Sequence, residues 1–462
     1  MEEQSIGAIV RKQETDYQSG VLTKSRHVQV SLKDDVEKID AYANSKQISG
    51  DTDSQGRTKP FQNIVIAAMN AWFHATDIDR ANIRVRAVRQ SDLILQIFYN
   101  AKLQEWMKIS GFGRFLNNWG RSLSKYGSSL TKFVETNGEL VPSVVPWNGL
   151  IVDSIKLDNA PVIEKMYFTP AQLLKNEHYD QEKVKLLIVA KSATTRKNLG
   201  GMDKDVKADF IEVYEVHHEF SEAQYKKAKG LKVLDGDDKK FSQQIHVISF
   251  AKSDDKTEYE DFTLYCGKEK NPYLMTHLIE EDGYILSMGA VKTYFEAQWM
   301  VNHDEKNIKD YLDLVSKLVL QTSDETFLGK NAVENMLGGE LVITKPNMTI
   351  QPVQMSNSSG AVAELRANQQ TWKLQGMDAS STPDALRGNT LPSGTSGVLA
   401  ETLARQASAL FPIMVENKGM YIGEMMTRFV FSYLEKQMDD SDEILALLDA
   451  EGLNEIDQKF IP

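Results

Sequence analysis

The feature that most limits how this chain can fold is a long amphipathic pattern over Gly289–Leu320. Apolar side chains such as Val291, Phe295, Ile308 and Leu312 recur near the i, i+3, i+4 and i+7 spacing of one helix face, and charged side chains fall between them. At about 1.5 Å per residue, roughly thirty residues make a rod of about 45 Å. A rod of that length needs neighbours that cover its apolar stripe.

Helical spacing recurs on both sides of this rod. Thr169 followed by Pro170 is typical of a helix start, with Thr169 as the N-cap. Pro412 must kink or divide the last pattern, because proline lacks an N–H and its ring crowds the carbonyl four residues back. The spacing predicts helices over Phe61–Phe73, Leu93–Met107, Phe115–Leu130, Ala361–Leu374 and Val398–Leu434.

Strand-like stretches lie between the helical ones, so the expected fold class is α+β. Residues 209–266 predict a small β-rich subdomain, with a lysine- and aspartate-rich connection and a turn at Asp235-Gly236-Asp237. Residues 1–60 are polar with little periodicity, and we expect a loosely held arm. The predicted strands are Thr131–Glu135, Ser143–Val145, Leu150–Ile155, Phe210–His217, Ile245–Phe250, Asp261–Cys266, Leu341–Ile343 and Thr349–Val353.

Charge restricts how this chain could meet nucleic acid. Its 462 residues carry a formal net charge of −12. Proteins that hold nucleic acid by general attraction neutralise phosphates with Lys and Arg, so this charge argues against such binding. It does not exclude a DNA conduit, because a channel through which DNA slides should not grip it and an acidic wall repels phosphate.

Composition also bears on compartment. Cys266 is the only cysteine, which rules out intrachain disulfides and fits a reducing cytosol. No apolar run is long enough to span a bilayer, and Met1–Gln4 does not begin a signal peptide pattern, so we expect no membrane association.

The search for catalytic motifs finds neither a phosphate-binding loop nor a His-Glu-x-x-His pair. His217 and His218 are neighbours on a predicted strand and point to opposite faces, so they are expected to be structural. His303-Asp304-Glu305 is expected on a solvated helix face, and Cys266 as a small buried residue. We interpret Gly111-x-Gly113 as a helix-breaking turn and Gly394–Gly397 as a flexible helix entry. The sequence therefore predicts no enzyme, no cofactor and no metal site.

Four segments, in order, resemble phage portal proteins. Phe115–Glu139 resembles their segment of helix, Tyr-Gly and strand, and Val144–Asp153 resembles the strand that follows. Asn271-Pro272-Tyr273 with the helix from Gly289 is similar to the exit from the clip into the ascending stem. Thr382–Leu403 resembles the Ser-Gly-containing entry to the long kinked helix. The resemblance covers about 115–435.

This resemblance implies an elongated α+β subunit with an α/β wing, long stem helices and a small β-rich clip. The implied parts are an N-terminal arm (1–60), a first wing part with a descending stem helix within 170–200 (61–208), a clip (209–283), an ascending stem helix (284–320), a second wing part with a tunnel loop (346–360) and a long kinked helix (321–437), and a short crown or tail (438–462).

The tunnel loop is the implied DNA-facing segment. Most of its polar residues are uncharged donors and acceptors that can touch phosphates through weak bonds without reading sequence. Another interpretation of these residues is a solvated surface loop. The DNA-channel residues implied are Lys345, Asn347, Gln351, Gln354, Ser356, Asn357, Ser358 and Ser359.

The resemblance further implies a dodecameric ring at one capsid vertex of a virion assembled in the host cytoplasm. Its partners would be double-stranded DNA passing through without sequence recognition, the terminase large subunit, the major capsid protein and tail adaptor proteins. Another phage head–tail adaptor that is not the DNA conduit is the alternative. The clip residues implied in partner docking are Lys226, Lys227, Lys229, Lys232, Lys239 and Lys240.

Overall fold

The fold is α+β, because helices pack on sheets whose strands are all antiparallel. The computed structural model describes residues 5–438 apart from 20–22, 26–27, 55, 91–92, 137, 199–209, 253–258, 316–319, 322, 324, 326–344, 349–350, 353–357 and 383–409. Its helices are α1 (Ile6–Gln18), α2 (Leu32–Ala43), α3 (Val65–Ala75), α4 (Leu93–Ile109), α5 (Phe112–Tyr126), α6 (Pro170–Lys175), α7 (Gln181–Asn198), α8 (Glu222–Ala228), α9 (Ala290–Thr293), α10 (Phe295–Val315), α11 (Ser358–Ala379), α12 (Phe411–Met425) and α13 (Phe431–Met438).

The strands pair in antiparallel sheets. A short pair joins β1 to β2 and another joins β11 to β12; a three-stranded sheet has the order β10-β3-β4, and a five-stranded sheet runs from β5 to β9 in chain order. The strands are β1 (Thr23–Ser25), β2 (Val28–Val30), β3 (Ser128–Thr136), β4 (Glu139–Val145), β5 (Leu150–Ile151), β6 (Val162–Phe168), β7 (Ile211–Ser221), β8 (Phe241–Lys252), β9 (Tyr259–Gly267), β10 (Tyr273–His277), β11 (Leu320–Gln321) and β12 (Gln351–Pro352).

Helices cover both faces of the five-stranded sheet. On one face, Ile6 and Val10 of α1 pack among buried apolar side chains of the sheet. On the other face, Leu173 of α6 and Val184 and Leu187 of α7 do the same. Successive side chains of a strand point to opposite faces of its sheet. Because both faces of this sheet are covered, successive residues of its strands are apolar.

The expectation that residues 1–60 form a loosely held arm is wrong for the part that the structure describes. Besides α1 on the sheet, α2 buries Val36 and Ile39 in the main apolar core. Ser5 and Ser31 cap the two helices by accepting from the backbone N–H groups of Ala8 and Asp34. The apolar residues that anchor each helix are few, so polar neighbours obscured their spacing.

The main core is built around α5. Trp119 stacks on Tyr421 of α12 with ring centroids 4.7 Å apart, and its indole N–H donates to Thr276 Oγ1 of β10 at 3.2 Å. Phe115 meets Phe133 of β3 edge to face. One helix therefore ties the three-stranded sheet to a segment nearly three hundred residues later in the chain.

The predicted helix Phe115–Leu130 is wrong at its end, because α5 stops at Tyr126 and β3 begins at Ser128. Gly127 adopts φ +77°, and a Cβ atom there would lie 2.6 Å from the Met288 backbone carbon. Only glycine fits this close approach of two backbones. The predicted strand Leu150–Ile155 is also too long.

Other helix predictions are confirmed in place. Thr169 caps α6 in a reciprocal capping box with Gln172. The predicted break at Pro412 is confirmed, since α12 begins at Phe411 with proline in its first turn. A π-helical turn over Met426–Val430, which was not predicted, separates α12 from α13.

The two larger sheets cross the predicted subdomain boundaries, which stay a prediction. Strands β7 to β9 of the predicted clip (209–283) share one sheet with β5 and β6, and β10 pairs with β3 in the other sheet. The helix predicted within 170–200 is α7, which packs on the five-stranded sheet. The predicted 289–320 rod is divided, because α9 ends at Thr293 and the 21-residue α10 begins at Phe295. The predicted crown after 438 lies outside the described residues.

Within the described part of the chain, none of the helices is both long enough and apolar enough to cross a membrane.

Lys418 supplies a first prediction about stability. It is 2% exposed, and its Nζ donates to the Thr76 carbonyl at 2.5 Å. Burial lowers the pKa of Lys418 from 10.5 to about 8, against the opposing effect of Asp77. Below about pH 8, Lys418 is charged in the folded state, and burial of that charge lowers the free energy of unfolding. This loss of stability becomes smaller as pH rises from about 8 to 10.5.

We expect Lys418→Met to raise the free energy of unfolding at pH 7 by about 2 kcal/mol, because methionine has no charge to desolvate. Urea titrations of both proteins should show that this gain in the free energy of unfolding becomes smaller as pH approaches 9.5. Lys436→Met, at a lysine whose side chain is 72% exposed, is the control and should change little. A gain in stability that did not change with pH would contradict the conclusion that the buried charge of Lys418 destabilises the fold.

Candidate functional site

Helices α10 and α11 form an antiparallel hairpin. Near its base, Gly376 of α11 packs against Tyr294 and Ala297, while further out Asn368 donates to Asp304 at 2.7 Å. Gln369 donates to Glu305 at 2.9 Å. The short β11–β12 pair, Leu320 opposite Pro352, continues the hairpin beyond the helices.

The described residues of the predicted tunnel loop lie close in sequence to the far end of this hairpin. Lys345 and Asn347 are exposed, and the Lys345 carbonyl accepts from the Met348 backbone N–H in a tight turn with Asn347 at φ +67°. Asparagine tolerates that left-handed conformation better than most residues. Gln354, Ser356 and Asn357 lie outside the described residues.

The predicted loop ends too late, because Ser358 and Ser359 begin α11. Gln351 lies in β12, opposite Gln321, within the strand predicted over 349–353. Serines and glycine are common where a helix starts as well as in loops, so composition alone did not separate the two. Of the strands predicted nearby, Thr349–Val353 is confirmed only at 351–352, and 341–343 lies outside the described residues.

His303-Asp304-Glu305 is not the solvated face predicted from its charges. His303 is exposed and stacks on Trp299, with ring centroids 5.3 Å apart, but Asp304 is 3% exposed and Glu305 is half-buried against α11. Amide donors from α11 satisfy both carboxylates, which allows them to be buried. These charges therefore fix the register of the hairpin.

Part of the predicted apolar stripe on the hairpin faces solvent. Trp299 is 53%, Leu312 50% and Leu374 49% exposed. Trp299 and Leu312 are thirteen residues apart on α10, so they point in different directions around that helix. Exposed large apolar side chains such as these are candidates for contact with another protein. Sequence periodicity identified these residues as apolar but could not tell which would be left uncovered.

The six lysines predicted to dock a partner lie together on a small projection of the five-stranded sheet. We call residues 222–241 the lysine lobe; it comprises α8, the following loop, a short 3-10 helix at Asp237–Lys239 and the first residue of β8. Lys226 pairs with buried Asp237 at 2.7 Å. The exposed lysines are Lys227, Lys229, Lys232, Lys239 and Lys240.

The lysine lobe also exposes apolar side chains that sequence analysis did not single out. Leu231 is 54%, Leu234 58% and Phe241 66% exposed. Their neighbours in sequence are mostly charged, so no apolar periodicity marked them. The lobe therefore combines positive charge with accessible apolar surface.

A cleft of about 1250 Å³ separates the two larger sheets. At its floor, Lys132 of β3 pairs with Glu164 of β6 at 2.7 Å and Glu215 of β7 at 2.6 Å. His217 contacts Glu215 at 2.6 Å, and Tyr273 donates its hydroxyl hydrogen to Glu164. This network joins the sheets, and its members are so far apart in sequence that no local motif could have revealed it.

Electrostatics stabilise the ionised form of this network. Burial raises the pKa of Glu215, but the His217 hydrogen bond and the Lys132 charge outweigh it and lower that pKa from 4.5 to about 2. Burial lowers the pKa of Lys132, and its two carboxylate partners more than compensate. Each charge has partners, so the network is suited to holding sheets together.

The network predicts an acid-sensitive component of stability. Glu215 is easier to ionise in the fold than in the unfolded chain, so its contribution is complete above about pH 4.5 and is lost as pH falls towards about 2. We expect Glu215→Gln to make the free energy of unfolding depend less on pH in this range. Unfolding in urea, followed by fluorescence at each pH, measures this dependence. Glu435→Gln, at an exposed glutamate, is the control. An unchanged slope would contradict the role of Glu215.

The structure places most of the remaining motifs. His217 and His218 point to opposite faces, as predicted: His217 meets Tyr273 and His218 meets Phe220. Burial raises the pKa of the half-buried Cys266 thiol to about 11, which makes it a poor nucleophile. Among the described residues, no group of three or more potential ligands is arranged to hold a metal ion. The Gly394–Gly397 segment lies outside them.

Comparison with models of known protein families gives no match, and comparison with curated proteins gives none.

Proposed function

We propose that this chain is one subunit of a tailed-phage portal, a ring-shaped channel at one capsid vertex for packaging and ejecting double-stranded DNA. The observation that carries the proposal is the α10–α11 hairpin, whose far end bears exposed Asn347 and whose helices leave apolar side chains uncovered. A hairpin of this kind can place one polar turn per subunit at a central opening.

The polar turn suits contact with moving DNA. An amide such as Asn347 makes weak, exchangeable bonds to phosphate and reads no sequence. The acidic net charge of −12 lowers general attraction to DNA. Together these properties favour passage over retention.

The exposed apolar side chains of Trp299, Leu312 and Leu374 support assembly into a ring. A subunit that buries such side chains against different surfaces of its neighbours forms heterologous contacts, which close into a ring when the rotation permits. In this proposal the lysine lobe receives the terminase large subunit or a tail adaptor, and other surfaces meet the major capsid protein.

Electron microscopy of the purified full-length protein tests the proposal directly. We expect rings, with twelve subunits as the family resemblance implies, and a central hole wide enough for a DNA duplex. Light scattering that reports only monomers or dimers under all assembly conditions would refute it. Rings whose opening is too narrow for a duplex would favour the head–tail adaptor instead.

Asn347 allows a test of the channel itself. We expect Asn347→Asp to shorten the packaged genome, because one added charge per subunit becomes a ring of carboxylates that repels phosphate within about 8 Å. Aspartate also tolerates the left-handed backbone of this position, so strain does not confound the comparison.

Asn159→Asp, at an exposed asparagine away from the hairpin, is the matched control for the added charge. Rings of both variants should assemble normally, and only the Asn347 variant should package less DNA. Normal packaged length in the Asn347 variant would show that this turn does not face DNA.

A further inference from the structure

The lysine lobe holds a rigid loop that keeps apolar side chains in solvent. Gly230 and Gly236 adopt φ values of +68° and +87° at its two ends. Asp237, only 3% exposed, accepts from the Leu234 backbone N–H at 2.8 Å and from Lys226 at 2.7 Å. The loop is fixed from within, so Leu231 and Leu234 cannot turn inward without breaking these bonds.

The charge around this apolar surface selects the kind of partner. Five lysines of the lobe are exposed, whereas its exposed acids are Asp235 and Asp238. Lys226 and Glu222 are each occupied in ion pairs, with Asp237 and Lys268. An excess of lysine around leucines fits a segment that is both acidic and rich in apolar residues.

Residues 439–462 of this chain have that composition. They contain eight acidic residues and one basic residue, Lys459, and their apolar residues include Ile444, Leu445, Leu447 and Leu448. This segment therefore supplies both the negative charge and the leucines that the lysine lobe would bind.

The place where the described chain ends brings this segment within reach of the lobe. Lys436, near the end of α13, lies 3.8 Å from Glu135, and Glu135 lines the cleft between the sheets. Lys268 lines the same cleft and pairs with Glu222 at the start of the lobe. A chain of 24 residues can span up to about 80 Å, far more than the width of one cleft.

We infer that residues 439–462 dock on the lysine lobe of the same chain, with leucines against Leu231 and Leu234 and carboxylates against the exposed lysines. The contact is independent of whether the chain forms a portal ring.

Zero-length carbodiimide cross-linking of the full-length protein tests this inference. The reagent joins a lysine amine to a carboxylate in contact with it, and mass spectrometry identifies the joined residues. We expect products between Lys232, Lys239 or Lys240 and acids of 439–457, formed within single chains when ¹⁴N- and ¹⁵N-labelled protein are mixed.

Two variants test the apolar part of the contact. Leu231→Ser combined with Leu234→Ser should lower the yield at least about tenfold, because burial of two leucines is lost. Leu447→Ser combined with Leu448→Ser should do the same without altering the described fold. Leu186→Ser combined with Val189→Ser, at exposed positions on α7, is the matched control and should leave the yield unchanged.

Three outcomes would overturn the inference. Products only between differently labelled chains would assign the lobe to a second copy. Absence of products would leave the lobe to an external protein, and binding of the parent but not the leucine variants to anionic lipid vesicles would assign it to a membrane surface.

Discussion

Lys132→Met is expected to lower the free energy of unfolding by about 3–5 kcal/mol, the usual cost of leaving a buried charge without its partner. Lys132 is 13% exposed and lies between Glu164 and Glu215. Methionine preserves the length of the side chain but leaves the two carboxylates facing each other without a cation. The measurement is the urea midpoint and slope at pH 7.

Two controls separate this effect from loss of packing. Lys436→Met removes an exposed ion pair with Glu135 and should cost less than about 1 kcal/mol. Adding Glu164→Gln and Glu215→Gln to Lys132→Met removes the repulsion and should recover part of the loss. If Lys132→Met alone were as stable as the parent, the network would not hold the sheets together.

If the chain assembles into the proposed ring, loss of that assembly is the largest effect expected from substitutions on the hairpin. Combining Trp299→Ser, Leu312→Ser and Leu374→Ser should leave the subunit folded but monomeric, because each position is about half exposed in the subunit. If the ring buries them, each contributes about 1–2 kcal/mol per contact, and a closed ring repeats the loss at every contact. Size-exclusion chromatography with light scattering measures the outcome.

Leu186→Ser combined with Val189→Ser is again the matched control, since these side chains are 61% and 67% exposed on α7. That pair should not change assembly. Rings that persist in the triple variant would move the subunit interface elsewhere, and a fall in the urea midpoint of the monomer would show that the substitutions act on folding instead.

Local patterns in the sequence predicted those elements that local forces determine. The capping residues at Thr169 and the break at Pro412 depend on atoms within one helical turn, and both were found as predicted. Periodicity also predicted helices where α3, α4, α5 and α11 lie, but it did not predict β6 or α8. The N-terminal helices were not predicted, because they contain few buried residues. Those residues, such as Val10 and Val36, are surrounded in the sequence by polar ones.

Features that depend on distant residues could not be predicted. Periodicity marks Trp299 as part of an apolar stripe but does not say whether another element covers it. Charge marks Asp304 as polar, yet Asn368 from another helix permits its burial. The Lys132 network joins three strands, and the lysine-lobe leucines are exposed because Asp237 fixes their loop.

The meeting of Gly127 and Gly289 leaves no room for a side chain between two distant parts of the chain. A Cβ atom at Gly289 would lie 2.5 Å from the Gly127 nitrogen, so the two backbones touch. Any larger residue at either position would push the start of α9 away from the end of α5. Tyr294, which follows α9 and is fully buried in the main core, would then have to move with it.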